Sequence, residues 1–195
     1  MTLPRDFYRR PARAVARALL GCVLVSRRDG VVTAGTIVET EAYLGPEDAA
    51  SHAAFRPGSH DLFYGDGGFA YVYSIYGLHS CLNAVAGAAG TPGCVLIRAL
   101  APTAGQTAMA RRRGVPADSR RLTSGPGNLT RALAITIRDN GADLTAGSIT
   151  IEAPVGSGAF RVVVGPRIGI TRAVERPLRF WIEDSPFVSA TRLTA

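Results

Sequence analysis

Lysine is missing altogether. All 22 basic residues are arginine, so no lysine amine exists for a Schiff base or for a P-loop phosphate contact. Cysteine is scarce. Cys22, Cys81 and Cys94 are an odd number, far apart and set among apolar residues; they read as buried, reduced thiols of a cytosolic protein. The histidines His52, His60 and His79 have no ligand-like spacing with these cysteines or with one another. Neither a structural zinc site nor any other cofactor is expected. No apolar run approaches the roughly 20 residues a membrane span needs, so no membrane association is expected. Low-complexity tracts, internal repeats and domain-boundary signals are lacking too.

What remains is the composition of one folded unit. A chain of 195 residues, 47% hydrophobic and 19% charged, is long enough to bury a full core as a single domain over 1–195. Twelve prolines and 22 glycines mark many turns and favour a loop-rich α+β fold over a helical bundle. The net charge of +7 points to a polyanionic partner, most simply nucleic acid.

Along the chain, Pro11–Leu20 reads as a helix with proline in its first turn and Gly21 as its stop. The Arg-rich start runs straight into a strand, Cys22–Ser26, so it is expected to be part of the fold and not a transit peptide. Arg28-Asp29-Gly30 is a hairpin turn signal, the return strand is Val31–Tyr43, and Gly35 is a candidate bulge. Leu44–Gly68 is a long, turn-rich loop carrying His52, Arg56, His60 and Asp61; loops of that length are usually functional or mobile. Phe69–Ile75 and His79–Val85 form a second hairpin with Tyr76 at its tip. Val95–Leu100 is a strand, Thr103–Arg113 a helix, and Ser124–Asn128 a loop feeding a helix over Leu129–Ile135. Strands are predicted over Ser148–Ala153, Phe160–Val164 and Leu178–Ile182, with a compact linker at Arg167–Ile170.

The stretch Thr36–Tyr43 is unusual. Alternation places Ile37, Glu39, Glu41 and Tyr43 on one face of a strand, where carboxylates are poor strand formers. Either this face lines a pocket or it is the solvated face of an edge strand. Arg98, alone in an apolar strand, either reaches solvent or pairs with a buried carboxylate. Tyr76, beside Gly77, is poorly placed for core packing and is either a surface residue or a functional one.

Taken in order, several blocks carry a resemblance. Thr36–Tyr43 is followed by Leu44-Gly45-Pro46-Glu47-Asp48 and then His52. Next come Tyr71-Val72-Tyr73-Ser74-Ile75-Tyr76-Gly77-Leu78-His79, Asn83 and Val95-Leu96-Ile97-Arg98-Ala99-Leu100. Ser124-Gly125-Pro126 and Pro177-Leu178-Arg179-Phe180 close the series. In this order and spacing the chain, from about Leu19 to Ser189, resembles the alkyladenine (3-methyladenine) DNA glycosylase family, of the methylpurine type. The I-V-E-T-E-A-Y and Y-V-Y-x-I-Y-G blocks are specific jointly and not singly.

The resemblance implies a mixed α+β domain with a curved, mainly antiparallel sheet flanked by helices and a protruding hairpin. It also implies a monofunctional base-excision enzyme that needs no metal and acts as a monomer on double-stranded DNA containing damaged purines. The expected location is cytoplasmic, on the nucleoid if the source is bacterial. By position, Glu41 matches the general base that activates water, and Arg98 the arginine that helps to hold that water. The Ile168 backbone matches a further contact there. Tyr43 and Tyr73 match the aromatics that sandwich a flipped base, with His52 hydrogen-bonding it. Asn83 matches the residue that crowds the amino group of normal guanine, and Tyr76 the side chain that fills the gap in the duplex. Glu39 has no catalytic counterpart, so either it is structural or the strand bends between the two carboxylates. Gly58-Ser59 departs from the arginine–asparagine pair common in the family.

The residue types suit that chemistry on physical grounds. A base must leave the stack before its sugar bond can be attacked, at a cost of a few kcal/mol. A wedge can fill the hole, and aromatic walls recover stacking of about 1–3 kcal/mol per base. An alkylated purine is cationic, so it is drawn to aromatic faces and leaves readily; one carboxylate is then chemically sufficient. A non-catalytic protein that recognises flipped or distorted nucleotides would share the basic surface and the wedge, but only an enzyme needs Glu41 with Arg98. A small-molecule enzyme with an acidic pocket leaves the positive charge unexplained.

Overall fold

The computed structural model describes residues 1–56, 60–75, 77, 79–154, 156 and 158–189. Among them, eight strands form one curled, wholly antiparallel sheet, and short helices cover it. The strands are β1 (Val23–Arg28), β2 (Val31–Tyr43), β3 (Ala70–Ile75), β4 (His79–Val85), β5 (Cys94–Ala104), β6 (Ile149–Glu152), β7 (Val162–Gly165) and β8 (Arg179–Ile182). Their order is β3-β4-β5-β2-β1-β6, with β8 joining β2 to β7. The helices are α1 (Arg5–Tyr8), α2 (Ala12–Ala18), α3 (His52–Phe55), α4 (His60–Phe63), α5 (Gln106–Arg113) and α6 (Pro126–Ala132).

This is the α+β class expected, and β2 is its central strand. Its mid-section pairs with β5 and β8, and its first half with β1. The solvated-edge reading of Glu39 and Glu41 is therefore wrong: both carboxylates are fully buried. The β1–β2 turn is made by Asp29 and Gly30, both at positive φ, the backbone that matches the twist of a tight hairpin.

Three element bounds differ from expectation for identifiable reasons. β5 runs past Leu100 to Ala104 because the long β2 offers it partners as far as Ala34. Pro102 is tolerated there because it lies at the register shift opposite Gly35, where the ladder is already interrupted. A Cβ at Gly35 would stand 2.9 Å from the Leu100 Cβ, so glycine is what allows this close approach. α5 then begins only at Gln106, after left-handed Gly105. α6 begins at Pro126, in the segment expected to be loop, because proline suits the first helical position.

The two faces of β2 do different work. On one, Thr40 donates to the Ala16 carbonyl of α2 at 2.8 Å, and Ala42 packs in the main core with Val15, Leu19, Met109 and Leu129. On the other, Tyr43 joins a smaller cluster of Ala53, Phe63, Tyr71, Val85 and Cys94. The four-residue helices α3 and α4 have no stability of their own at that length. They are held by this cluster, in which fully buried Phe63 stacks edge-on against Tyr71 at 4.8 Å.

The β3–β4 hairpin closes one edge of the sheet, with Ile75 opposite His79 as its last pair and Gly77 left-handed in the turn. Tyr76, expected to fill the gap in the duplex, lies outside the described residues, as do Gly58 and Ser59.

Candidate active site

A β-bulge builds the centre of the site. On β5 the register passes from Ala99, opposite Glu39, to Ile97, opposite Thr40, so Arg98 is the extra residue; Val38 is the extra residue on β2. Bulges re-aim side chains. Here Arg98, only 7% exposed, turns onto the carboxylate face of β2. Its Nε donates to Glu39 at 3.1 Å and its Nη1 to Glu41 at 3.2 Å. The register shift between Glu39 and Thr40 is the local irregularity that the sequence offered as one alternative for Glu39.

The two carboxylates are not equivalent. Glu39 accepts from Arg98, from Arg179 Nε at 2.7 Å, and from both the backbone N–H and the hydroxyl of Ser189, at 2.7 and 2.8 Å. Its neighbours are two arginines and the chain's last described residue, all buried. Glu41 accepts from Arg98, from the Tyr43 hydroxyl at 2.9 Å and from the Ile168 backbone N–H at 2.7 Å. A carboxylate has about four lone-pair sites, so Glu41 retains room for one more donor. Arg98 stays charged, because the two carboxylates outweigh the burial that would lower its pKa.

Beside this centre lies a cavity of about 660 Å³, the size of a small-molecule site. Tyr43, His52, Tyr73, Asn83, Arg98 and Ile168 all line it; Glu41 does not, and sits directly behind three residues that do. Every one of the sequence-predicted site residues that falls within the described chain is thus gathered here. His52 caps the wall, with its ring 4.5 Å from that of Tyr73 and its Nδ1 2.7 Å from the Tyr71 hydroxyl. Burial, with Arg56 nearby, pushes its imidazole down to about 4, so it is neutral at neutral pH. Burial, then the charge of Glu41, keeps the Tyr43 phenol protonated by raising its pKa well above the usual value. Asn83 is oriented at both ends: its amide donates to the Tyr71 carbonyl at 3.1 Å, and Cys94 Sγ lies 3.7 Å from its Oδ1. Among the described residues no three of His, Cys, Asp and Glu are grouped to hold a metal ion.

Sequence reasoning did not single out several residues that the site uses. Tyr71 could have been found, because it shares the period-2 face of Tyr73. Asp48, Arg167, Arg179 and Ser189 meet partners 119 to 150 residues away, and no local pattern announces such pairs.

Comparison with known proteins gives the family. The family model for methylpurine-DNA glycosylase matches residues 6–186. A protein of Methanoculleus marisnigri, provisionally named as a 3-methyladenine DNA glycosylase, is 45% identical over 192 residues, covering 97% of this chain and 99% of its own length. A protein of the same provisional name from Koribacter versatilis is 46% identical over 194 residues, with 97% and 94% covered. A third, from Bacillus cereus, is 40% identical over 203 residues, with 97% and 99% covered. Matches of this extent put the chain among the DNA glycosylases, hydrolases that act on N-glycosyl bonds with DNA as substrate. Within that class, the chain belongs to the methylpurine-DNA glycosylase family.

Proposed function

We propose that this protein is a monofunctional glycosylase that flips alkylated purines out of duplex DNA, hydrolyses the N-glycosidic bond and leaves an abasic site. The observation that carries the reading is the Glu41 carboxylate, fully buried behind an aromatic cavity with Arg98, Tyr43 and Ile168 as its donors.

In this reading the flipped base stacks against Tyr43 and Tyr73, and His52 hydrogen-bonds it as a neutral imidazole. Asn83, held in one orientation, crowds the amino group of guanine. Water bound at the free site of Glu41 gives up its proton to the carboxylate as its oxygen attacks C1′, and the base departs with the bonding electrons. The negative charge of Glu41 also opposes the positive charge that develops on the sugar. Tyr43, Arg98 and Ile168 lie between Glu41 and the cavity, so the water enters beside one of them. Tyr76 fills the vacated position in the stack. With no lysine in the chain, a lysine Schiff base and its lyase step are excluded. The enzyme works as a monomeric single domain on double-stranded DNA in the cytoplasm, on the nucleoid in a bacterial cell.

The test is incubation with methylated duplex DNA and mass spectrometry of the released bases. Free methylpurine is expected. Tight lesion binding with no free base at any protein level would leave a recognition protein in place of the enzyme.

A further inference from the structure

Behind the cavity wall lies an ion pair that the mechanism above does not use. Asp48 and Arg167 are both fully enclosed at their side chains and meet in two parallel bonds, Nη1 to Oδ2 at 2.6 Å and Nη2 to Oδ1 at 2.8 Å. Burial alone would raise the Asp48 pKa. The hydrogen bonds and charge of Arg167, together with the Leu44 and Ala50 N–H groups, outweigh it and hold the carboxyl below its ordinary value, so the pair is ionic.

Its connections run to three segments around Glu41. Arg167 Nη1 also donates to the Ala42 carbonyl at 3.0 Å, between Glu41 and Tyr43 on β2. The guanidinium lies over the Tyr43 ring, 4.7 Å from its centroid, on a ring that lines the cavity. The next residue, Ile168, donates its N–H to Glu41. Asp48 accepts from the N–H groups of Leu44 and Ala50 and so shapes the loop that ends at Ser51, the cap of α3, one residue before His52.

A buried ion pair is weak evidence for stability, since apolar residues of similar size often serve as well or better. What it supplies is a fixed relation between the segments it joins. Here those are the end of β2, the loop to His52, and the segment from Arg167 that lines the cavity over 168–172. Resting on the glycosylase reading above, we infer that Asp48 and Arg167 are positioning residues, a clamp that sets the Ile168 N–H against Glu41 and the Tyr43 ring against the cavity. Neither touches the substrate. The clamp fixes the carboxylate and the wall in one frame, and errors on the order of 1 Å in such a frame cost about a hundredfold in rate.

Three variants test this: Arg167→Lys, the apolar pair Asp48→Leu with Arg167→Met, and Leu24→Ala in the distant core of β1 as a control for lost stability. Single-turnover excision from methylated duplex is measured at a temperature where all three are folded. Binding to duplex carrying a stable abasic analogue is measured alongside. The clamp predicts excision reduced about 100-fold in Arg167→Lys, with binding changed less than about threefold. The apolar pair should be equally slow even if its Tm matches the wild type. Excision by the apolar pair within about threefold of wild type, or rates that follow Tm in line with Leu24→Ala, would overturn it.

Amide exchange of Ile168, followed by NMR, judges the clamp even if the wild type releases no base, an outcome that would remove the glycosylase reading instead. The exchange should be at least about tenfold faster in Arg167→Lys, with β1 amides unchanged; unchanged exchange at Ile168 refutes the clamp.

Discussion

Glu39 and Glu41 are two residues apart on one strand, are both fully buried and share Arg98. Their surroundings predict opposite consequences when each is changed to glutamine. At Glu39 the amide oxygen can take over the position that accepts from Arg98, Arg179 and the Ser189 hydroxyl, but the amide nitrogen then faces the Ser189 N–H, donor against donor. Two hydrogen bonds from arginines to a carboxylate become bonds to a neutral oxygen, a loss of about 1 kcal/mol each, and a buried N–H goes unpaired at about 1–3 kcal/mol. The total, about 3–5 kcal/mol, is what breaking a buried ion pair usually costs. For a chain of this size that lowers Tm by about 6–20 °C.

At Glu41 the same change is milder. With the amide oxygen toward the Ile168 N–H, the Tyr43 hydroxyl can turn to accept where it had donated. The amide nitrogen then faces Arg98 Nη1, which loses one charged bond while its Nε keeps Glu39, so the loss should be nearer about 1.5–3 kcal/mol. The assay is thermal unfolding of both variants by circular dichroism at pH 7, with denaturant titration to confirm two-state behaviour. A fall below about 2 °C for Glu39→Gln, or a larger fall for Glu41→Gln than for Glu39→Gln, would refute the assignment of Glu39 to the framework and Glu41 to the chemistry.

Other consequences follow from the same site. His52 is neutral because burial, then Arg56, pushes its pKa down to about 4, below the ordinary value of about 6.5. The unfolded chain therefore binds more protons across that window, and stability is lost as pH falls through it and levels off below the folded midpoint. An NMR titration placing His52 near 6.5 would contradict this. Tyr43→Phe removes the hydroxyl from Glu41 but keeps the ring beside Arg167; excision is expected within about tenfold of wild type. Tyr43→Ala removes the wall, and with it stacking of about 1–3 kcal/mol, read as weaker binding to lesion DNA; equal binding by the two variants would argue against a stacking role. If about six phosphates are neutralised by arginine, affinity for duplex falls on the order of 10³-fold between about 50 and about 200 mM salt. A flat dependence would remove the phosphate contacts from the account.

The strands with strong local patterns were legible in the sequence. β2 and β4 have the predicted bounds, and the β1–β2 turn is where Asp29-Gly30 puts it. Elements decided by pairing or by length were not. β5 is extended by its partner strand, and α1, α3 and α4 span four residues each, too few for a helical period to show. In the site, the alternation of Glu39, Glu41 and Tyr43 and the isolation of Arg98 were visible at once. The resemblance assigned Glu41 and not Glu39 to the water, but the contacts that separate the two were not visible, because they arrive from Arg179 and Ser189, about 140 and 150 residues further along the chain. The bulge that turns Arg98 onto them is likewise a property of two strands in register and not of either alone.

The most direct test of the account is a single-turnover comparison of the wild type with Glu41→Gln on a duplex carrying one alkylated purine. Free base and duplex binding are measured on the same samples. The wild type is expected to release the base. Glu41→Gln should bind the lesion within a few-fold of wild type while excision falls by about 10²–10⁴, the usual contribution of a general base. Turnover by Glu41→Gln at the wild-type rate, or no free base from the wild type at any enzyme level, would contradict the account at its centre.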